Sequence, residues 1–298
     1  MRRGVLVALA AYTWWGISPV FWKMHDVPAL DAIGFRVAAT MILLGLIQAK
    51  RGMLGDIRRM LGDRRTRLVF AVSGTMLALN WLGFVYAVNS DQVLQSSLGY
   101  FINPLLSVLI GVLMLGERLH RLQAVAIGIV AIGVAVLSFD LGEVPWLALL
   151  IATTFAVYGY LRKTAPVESL DGLTLEMVML VPIAVAYLVI RAAMGDGLVG
   201  VSVPGRDVWL ATTAIVTGIP LICFGWAARR IPLSLVGVLF YVNPTLQFLL
   251  GVVVYDEPWS GGQTVGYVVI WAGLVVFALG SRRALYQDVI HGVPADHT

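Results

Sequence analysis

The chain has 298 residues, of which 59% are hydrophobic and only 13% charged, and its mean hydropathy is +0.86. This composition excludes an ordinary soluble domain and indicates an integral membrane protein. A single cysteine, Cys223, excludes an internal disulfide framework, and the four histidines have no metal-ligand spacing, so we expect no metal site and no cofactor. The net charge of +4 comes from arginines between apolar runs, so we expect no nucleic-acid partner.

Ten hydrophobic segments follow one another along the chain, and most approach the roughly 20 residues that a tilted membrane-spanning helix needs. The first segment has a basic start but no clear cleavage site after it, so we interpret it as a retained helix and not as a signal peptide. The sixth segment is the weakest. The segments cover about 4–22, 30–49, 68–88, 93–115, 122–139, 146–161, 173–191, 208–228, 233–255 and 264–280.

The basic residues are distributed unevenly between the two sides of this arrangement. With the N-terminus inside, seventeen of the 21 Lys and Arg residues fall in inside loops, three fall outside, and Arg36 lies within a span. Such an excess follows the positive-inside rule and predicts that both termini are cytoplasmic. The long basic connection at 50–67 is interpreted as a topology anchor beside anionic lipid, with a regulatory docking site as the alternative.

An Asn-Pro pair interrupts the fourth and the ninth segment, 140 positions apart, as Asn103-Pro104 and Asn243-Pro244. Proline removes one backbone hydrogen bond and opens a helix locally. Interrupted spans at corresponding places in two halves point to the binding site of a transporter, so Pro104 and Pro244 are predicted hinges. A kink that serves only packing is the alternative.

The sequences around these pairs also match, since 98–118 aligns with 238–258 at the same offset. We therefore predict two related repeats, residues 1–140 and 141–298, the second with a short cytoplasmic tail. Each repeat has five spans, and an odd number makes the repeats point in opposite directions. The predicted fold is an all-α integral membrane protein with ten transmembrane helices in two inverted five-helix repeats.

Polar and small residues form one stripe on the fourth span and a corresponding stripe on the ninth. Such stripes avoid lipid, so each should face other helices or a cavity. Asn103 and Asn243 lie at mid-depth, where they are expected to bind substrate, and hydrogen bonding between helices is the alternative. For Gly111 and Gly251 helix packing is the expected role. The stripes consist of Ser96, Tyr100, Asn103, Ser107 and Gly111, and of Val236, Phe240, Asn243, Gln247 and Gly251.

Two fully charged side chains lie clearly inside spans, Arg36 in the second and Glu176 in the seventh, at equivalent repeat positions. A charge inside a membrane is costly and usually functional. Because the repeats are inverted, we expect the two residues at opposite ends of a pathway and not in one ion pair. Glu176 is the predicted proton or cation site, and Arg36 would attract an anion or extend to the membrane surface.

Aromatic residues are dense in several spans, and Trp15, Trp81 and Tyr100 lie deep within them. With Asn80, they are predicted to line an aromatic, weakly polar cavity for an amphipathic organic solute, including a cation held over ring faces. The fifth and tenth spans carry almost no polar groups, so we expect them at the periphery, available for a homodimer contact.

The stretch SLGYFINPLLSVLIGVLMLGERL at 97–119 resembles the drug/metabolite transporter superfamily, its EamA domains, and most closely the RarD-type permeases. Supporting matches are AAYTWWGISPVFWK, NWLGFVYAVN and VYGYLRK, and the resemblance covers nearly the whole chain. It implies a permease of the bacterial inner membrane that works by alternating access, in a family linked by name to chloramphenicol. The second repeat departs from the family pattern where Asp256 precedes Glu257.

The predicted function is secondary transport of a small amphipathic metabolite, amino-acid-like or aromatic, with chloramphenicol-type drugs as incidental substrates. A facilitated exchanger without proton coupling and a noncatalytic membrane sensor or assembly subunit are the alternatives. No nucleotide-binding loop of the G-x-x-x-x-G-K-[ST] type occurs. An enzyme is not expected, because no nucleophile or carboxylate cluster marks a catalytic centre.

Overall fold

The computed structural model describes residues 1–22, 24–25, 27–89, 93–140, 146–195, 198, 205–254 and 260–290. The regular structure within these ranges is entirely helical. The helices are α1 (Arg2–Trp22), α2 (Ala29–Lys50), α3 (Leu54–Gly62), α4 (Arg64–Asn89), α5 (Val93–Leu115), α6 (Arg121–Asp140), α7 (Trp146–Thr164), α8 (Ser169–Ala193), α9 (Arg206–Ala228), α10 (Leu233–Phe240), α11 (Val242–Val254) and α12 (Gly261–Ile290).

The all-α membrane fold is confirmed, whereas the count of ten spans stays a prediction. Nine segments among the described residues are long and apolar enough to cross a membrane, with α10 and α11 counted together. The predicted sixth span, α7, is not among them, because its last turn carries Arg162 and Lys163. Most of α7 is covered by other helices, so it does not need the uniformly apolar surface of a lipid-facing span.

The connection at 50–67 contains a helix that the sequence analysis did not predict. α3 places Ile57 against Phe70 and Leu175, while its arginines lie on the other side. Asp63 then begins α4 by accepting a hydrogen bond from the backbone N–H of Thr66 at 2.7 Å. This hydrogen bonding, first from the Thr66 side chain and then from its backbone, holds the pKa of the Asp63 carboxyl below its usual value.

The two Asn-Pro pairs have different backbone surroundings. α5 continues without a break through Pro104, whereas the predicted ninth span divides at Tyr241, three residues before Pro244. The Tyr241 hydroxyl donates to the carbonyl of Phe101 at 3.0 Å, close to the site of the Pro104 interruption. Pro104 thus lies inside a continuous helix, whereas Pro244 follows the break between α10 and α11.

The first helix of each predicted repeat packs against helices of the other repeat. α1 lies against α9, α10 and α11, and α7 lies against α4 and α5. α2 packs on α8 and α9, which adds a further contact between the halves. The predicted repeats therefore form one packed unit. α6 and α12 contact mainly each other and leave about 28% of each span window buried, as expected of peripheral helices.

The largest hydrophobic core is shared by both halves and is rich in aromatic side chains. Residues of α1, α7, α9 and α10 meet there, and Trp15, Trp81 and Tyr100 pack on its edge. Gly16 allows α11 to approach α1, because a Cβ at that position would lie 2.7 Å from Leu246. This core separates two clusters of charged residues that lie towards opposite ends of the bundle.

Candidate functional site

Glu176 of α8 is fully buried and is surrounded by three donors. Ser73 of α4 donates to its carboxylate at 2.5 Å, Tyr158 of α7 at 3.3 Å and Arg162 of α7 at 3.4 Å. Arg162 is itself only 1% exposed. A buried carboxylate with a charged partner and two hydroxyl donors is electrostatically compensated, so this site can hold an ionised pair inside the protein.

Glycines make the space that the Arg162 guanidinium occupies. A Cβ at Gly172 would overlap its terminal nitrogen and the Phe70 ring, and a Cβ at Gly225 would lie 2.7 Å from the other terminal nitrogen. The same guanidinium donates to the Ser169 carbonyl at 2.6 Å. The close approach of α8 and α9 therefore fixes the direction in which Arg162 points.

Arg36 of α2 lies in a different environment, among aromatic rings. Its guanidinium carbon is 3.6 Å from the centre of the Trp81 ring and 5.5 Å from that of Trp22. Tyr100 is close enough to interact electrostatically with its charge. Arg36, Trp81 and Tyr100 thus come together as three of the predicted site residues, while the ion partner of Glu176 is Arg162.

Four aromatic side chains connect the surroundings of Arg36 to Glu176. We call Tyr100, Phe240, Phe155 and Tyr158 the aromatic row. Successive ring centres are 6.0, 5.4 and 5.7 Å apart, and the Tyr158 hydroxyl ends the row at Glu176. Trp15 packs beside the row, with its ring 5.7 Å from Phe155. The row crosses the interior from one charged cluster to the other.

Two predicted cavity residues instead bind the backbone of α7. The side-chain amide of Asn80 donates to the Ile151 carbonyl at 2.9 Å, and that of Asn103 donates to the Ala152 carbonyl at 3.0 Å. Both asparagines are buried. The bond of Asn103 is a hydrogen bond between helices, which is the alternative role considered for this residue. Asn103 also lines the crevice described next.

A narrow crevice lies between α1, α5, α7, α9 and α10. Phe155 and Phe240 of the aromatic row line it, and Asn103 and Ser107 are its principal polar residues. Tyr12 closes one side with its hydroxyl, which donates to the Val236 carbonyl at 3.2 Å. The crevice is mostly aromatic and weakly polar, and its volume of about 10 Å³ has room for about one water molecule, so an organic solute would enter only after the surrounding helices separate.

Asn243 and Gln247 form a pair on α11. The Gln247 amide donates to the Asn243 side-chain oxygen at 2.9 Å and reaches the Trp15 carbonyl at 3.4 Å. Gln247 is partly exposed, whereas Asn243 is buried. The pair therefore joins α11 to α1 beside Trp15 and leaves Gln247 as its more accessible member.

Polar links close the end of the bundle that holds Arg51, Lys163 and Arg229, here called the basic face. Lys163 donates to the Ile231 carbonyl at 2.8 Å, and Arg229 donates to the Ala165 and Val167 carbonyls. Arg51 pairs with Asp171 at 2.8 Å, which also accepts from Gln48. These links join α2, α7, α8 and the α9–α10 connection.

The opposite end, here called the far face, has a corresponding ion pair. Arg191 near the end of α8 lies 3.6 Å from Asp31 near the start of α2. Asp31 and Asp171 are 140 positions apart, as are Arg51 and Arg191. Each helix thus contributes one acid and one arginine, and α2 and α8 are tied at both ends.

Several residues of these clusters were missed by the sequence analysis. Arg162 was assigned to an inside loop, because it ends a span and follows the positive-inside pattern. Its spacing of four from Tyr158 places both on one side of α7 and was an available signal. The partners of Asp171 and Asp31 are more than a hundred positions away, so no local pattern reveals them.

Glu117 was noted only as part of a repeated motif. Its carboxylate accepts backbone N–H groups of Leu233 and Ser234 at 2.5 and 2.9 Å, and Lys163 lies 3.9 Å away. It therefore caps the first turn of α10. The corresponding Glu257 lies outside the described residues, as does the departure at Asp256.

Comparisons with known proteins agree on one family. The profile of the EamA-like transporter family matches residues 2–139. The protein RarD of Streptomyces exfoliatus is 36% identical over 283 residues, covering 95% of this chain and 90% of its own. A chloramphenicol-sensitive protein RarD of Pseudomonas aeruginosa is 28% identical and covers 98% of both chains. A crystal structure with 18% identity has a TM-score of 0.69 over 94% of this chain and 99% of its own, which shows the same fold.

Proposed function

Because this chain belongs to the EamA-like transporter family, as a RarD-type drug/metabolite transporter, we propose that it moves a small amphipathic metabolite by alternating access. The solute would be amino-acid-like or aromatic. Chloramphenicol-type compounds are candidate incidental substrates, since one relative is named for chloramphenicol sensitivity. Transport would take place across the bacterial inner membrane, with both termini in the cytoplasm.

The aromatic row is the observation that carries this proposal. It joins an arginine in aromatic surroundings to a buried ion pair, and its middle members line the crevice. Aromatic faces bind flat apolar groups without demanding one fixed hydrogen-bond pattern. A solute that moves along the row would exchange stacking partners at similar free energy, which favours passage over tight binding.

The predicted site residues divide into three roles in this proposal. Trp15, Trp81, Tyr100 and Gln247 would contact the solute. Asn103, Asn80 and Asn243 would position the helices around it, with Asn103 also reaching the crevice. Glu176 and Arg36 would couple movement to charge. Pro104 and Pro244 would allow α5 and the α10–α11 segment to bend.

Proton coupling through Glu176 competes with facilitated exchange. A carboxylate that takes up a proton would release Arg162 and Ser73, and this change would alter the contacts among α4, α7 and α8. Facilitated exchange would instead leave the pair of Glu176 and Arg162 in place throughout the cycle. The two mechanisms assign different consequences to the same substitution.

Uptake by proteoliposomes under an imposed pH gradient tests the coupling. With proton antiport, Glu176→Gln should abolish the dependence of transport on the pH gradient while exchange of labelled for unlabelled solute continues. Glu168→Gln, at a largely exposed carboxylate, is the matched control and should behave as the native protein does. Full gradient-driven transport by Glu176→Gln would refute antiport through this residue.

A homodimer that uses the α6 and α12 surfaces is part of the same proposal. These helices contact mainly each other and expose Ile132 and Val275.

If wild-type vesicles transport none of the amphipathic solutes offered, the sensor or assembly-subunit alternative replaces transport.

A further inference from the structure

Arg36 is a charged side chain within a span and has aromatic neighbours on several sides. Trp81 covers its guanidinium at 3.6 Å, and Trp22 and Tyr100 lie nearby. Its Nε atom is buried and has no hydrogen-bond partner in the described part of the chain. Ring faces compensate a positive charge only in part, because an aromatic ring carries no net negative charge.

A carboxylate counter-charge for Arg36 is not supplied by the residues that the structure describes. Asp31, the acid on the same helix, pairs with Arg191. Glu176, the buried acid of the core, pairs with Arg162. Charges inside membrane-spanning segments are normally compensated, so the guanidinium, which has no carboxylate partner among the described residues, is a candidate site for an anionic group of the solute.

The repeat offset of 140 positions shows what differs between the two charged sites. Arg162 lies beside Glu176, and the position 140 residues earlier is Trp22, which lies beside Arg36. The same place relative to the charge is therefore occupied in both halves. One half supplies a charge of opposite sign, whereas the other supplies an aromatic ring.

The remaining partners of Glu176 also have uncharged equivalents. Tyr158 and Ser73 correspond to Ser18 and Thr213 at the same offset. Both of these hydroxyls donate to carbonyls of their own helices, Ser18 to Trp15 and Thr213 to Leu210. None of the equivalent positions provides a negative charge, so the Arg36 site has the form of an ion-pair site without its anion.

We infer that Arg36 binds the carboxylate of the transported solute, with Trp22, Trp81 and Tyr100 around its aromatic or apolar body. A guanidinium presents a planar fork that matches a carboxylate with two parallel hydrogen bonds, even while one face is stacked on a ring. This assignment rests on the proposed transport function and gives its solute a class, small aromatic monocarboxylates.

Thermal unfolding of the detergent-purified full chain tests the assignment with matched pairs of ligands. Phenylacetate and indole-3-acetate carry the carboxylate, and phenylacetamide and indole-3-acetamide are their neutral counterparts. The acids should raise the melting temperature in a saturable way. The amides should bind at least about tenfold more weakly, because they lose a charge-assisted hydrogen-bond pair. Equal binding of acids and amides would overturn the assignment.

Variants separate this role from a general effect on folding. Arg36→Gln should remove the preference for acid over amide, and Arg36→Lys should keep a weaker preference, because it retains the charge but not the fork. Arg230→Gln is the matched control, since Arg230 also stacks on a tryptophan, Trp226 at 3.9 Å, but is partly exposed. If both Arg36 variants keep the native preference, the assignment is wrong.

Chloride is the competing anion and is titrated alone in the same assay. An Arg36-dependent shift with chloride, to which the acids add nothing, would assign the site to an inorganic anion and overturn the carboxylate inference.

Counterflow into vesicles distinguishes failure of this inference from failure of the proposed function. Transport of both the acids and the amides that is unchanged in Arg36→Gln would leave transport standing and refute the carboxylate assignment. Arg36-dependent binding of acids without transport of any solute would support the anion site and refute transport.

Discussion

At the scale of single residues, Glu176 and Arg162 compensate each other's charge inside the protein. Both are almost completely buried, and their charged atoms are 3.4 Å apart. Removing one partner leaves a buried charge without compensation, whereas removing both leaves two neutral groups. The single and the double substitution therefore lower the free energy of unfolding by different amounts, although each deletes the same contact.

We predict that Arg162→Gln lowers the free energy of unfolding by about 3 to 5 kcal/mol, because the Glu176 carboxyl group is left buried without its cationic partner. The double variant Arg162→Gln/Glu176→Gln should recover part of this loss. Denaturant unfolding in detergent, arranged as a double-mutant cycle, measures the coupling. Additive single and double variants would contradict the prediction.

The exposed pair of Arg59 and Asp56 provides the control for this cycle. Its charged atoms are 3.0 Å apart, but the Arg59 side chain is 84% exposed. Arg59→Gln should change the stability by less than about 1 kcal/mol.

The same residues show what the sequence could supply. Arg36 and Glu176 stand out in apolar segments, and the sequence marked both. Arg162 did not stand out, since an arginine at the end of a span has the composition of a topology anchor whether it is exposed or buried. Asn103 was placed at mid-depth, but its bond to the Ala152 carbonyl depends on how α5 and α7 pack. Local patterns identify polar residues that need partners, while packing decides which partners they find.

At the scale of helices, α10 depends on a side chain from outside its own sequence. Pro232 precedes it and provides no side-chain cap, and the helix is only eight residues long. Glu117, from the end of α5, accepts the first two N–H groups of α10 and places a negative charge at its N-terminus. This charge is favourable there, because it opposes the positive end of the helix dipole.

We predict that Glu117→Gln destabilises the protein by about 1 to 2 kcal/mol, through loss of the charged cap. Hydrogen–deuterium exchange should show faster exchange at the start of α10, with α11 unchanged. Glu168→Gln, which alters an exposed acid of the same face, should leave both helices as they are. Uniformly faster exchange in α10 and α11 would indicate general loosening and contradict the capping role.

Helix composition also explains why α7 and α3 were difficult to predict. α7 is surrounded by α4 and α5, so it tolerates polar residues that a lipid-facing span would not. α3 has only nine residues, and its apolar Ile57, Met60 and Leu61 recur at helical spacing, a signal that a search for span-length apolar segments does not use. Hydropathy detects helices through contact with lipid, and it is least informative for helices at the centre of the bundle or outside the membrane.

For the whole molecule, the two ion pairs between α2 and α8 bear on alternating access. The pair at the basic face, Arg51 and Asp171, is 2.8 Å apart and supported by Gln48. The pair at the far face, Arg191 and Asp31, is 3.6 Å apart. If opening of one face separates its own pair, weakening that pair should favour the conformation in which that face is open.

We predict that Asp171→Asn increases access to the crevice from the basic face, whereas Asp31→Asn increases access from the far face. A difference of about 1.4 kcal/mol between the conformations would shift their ratio about tenfold. In a Cys223→Ser background, Ser107→Cys places a thiol in the crevice, and its labelling by an impermeant reagent from each side of oriented vesicles reports access. Asp56→Asn, at an exposed pair, is the control. The prediction is wrong if both variants increase labelling from the same side, or if neither variant increases labelling. In that case α2 and α8 move as one rigid unit. The separating surfaces would then lie between this helix pair and the crevice helices α1, α7 and α10.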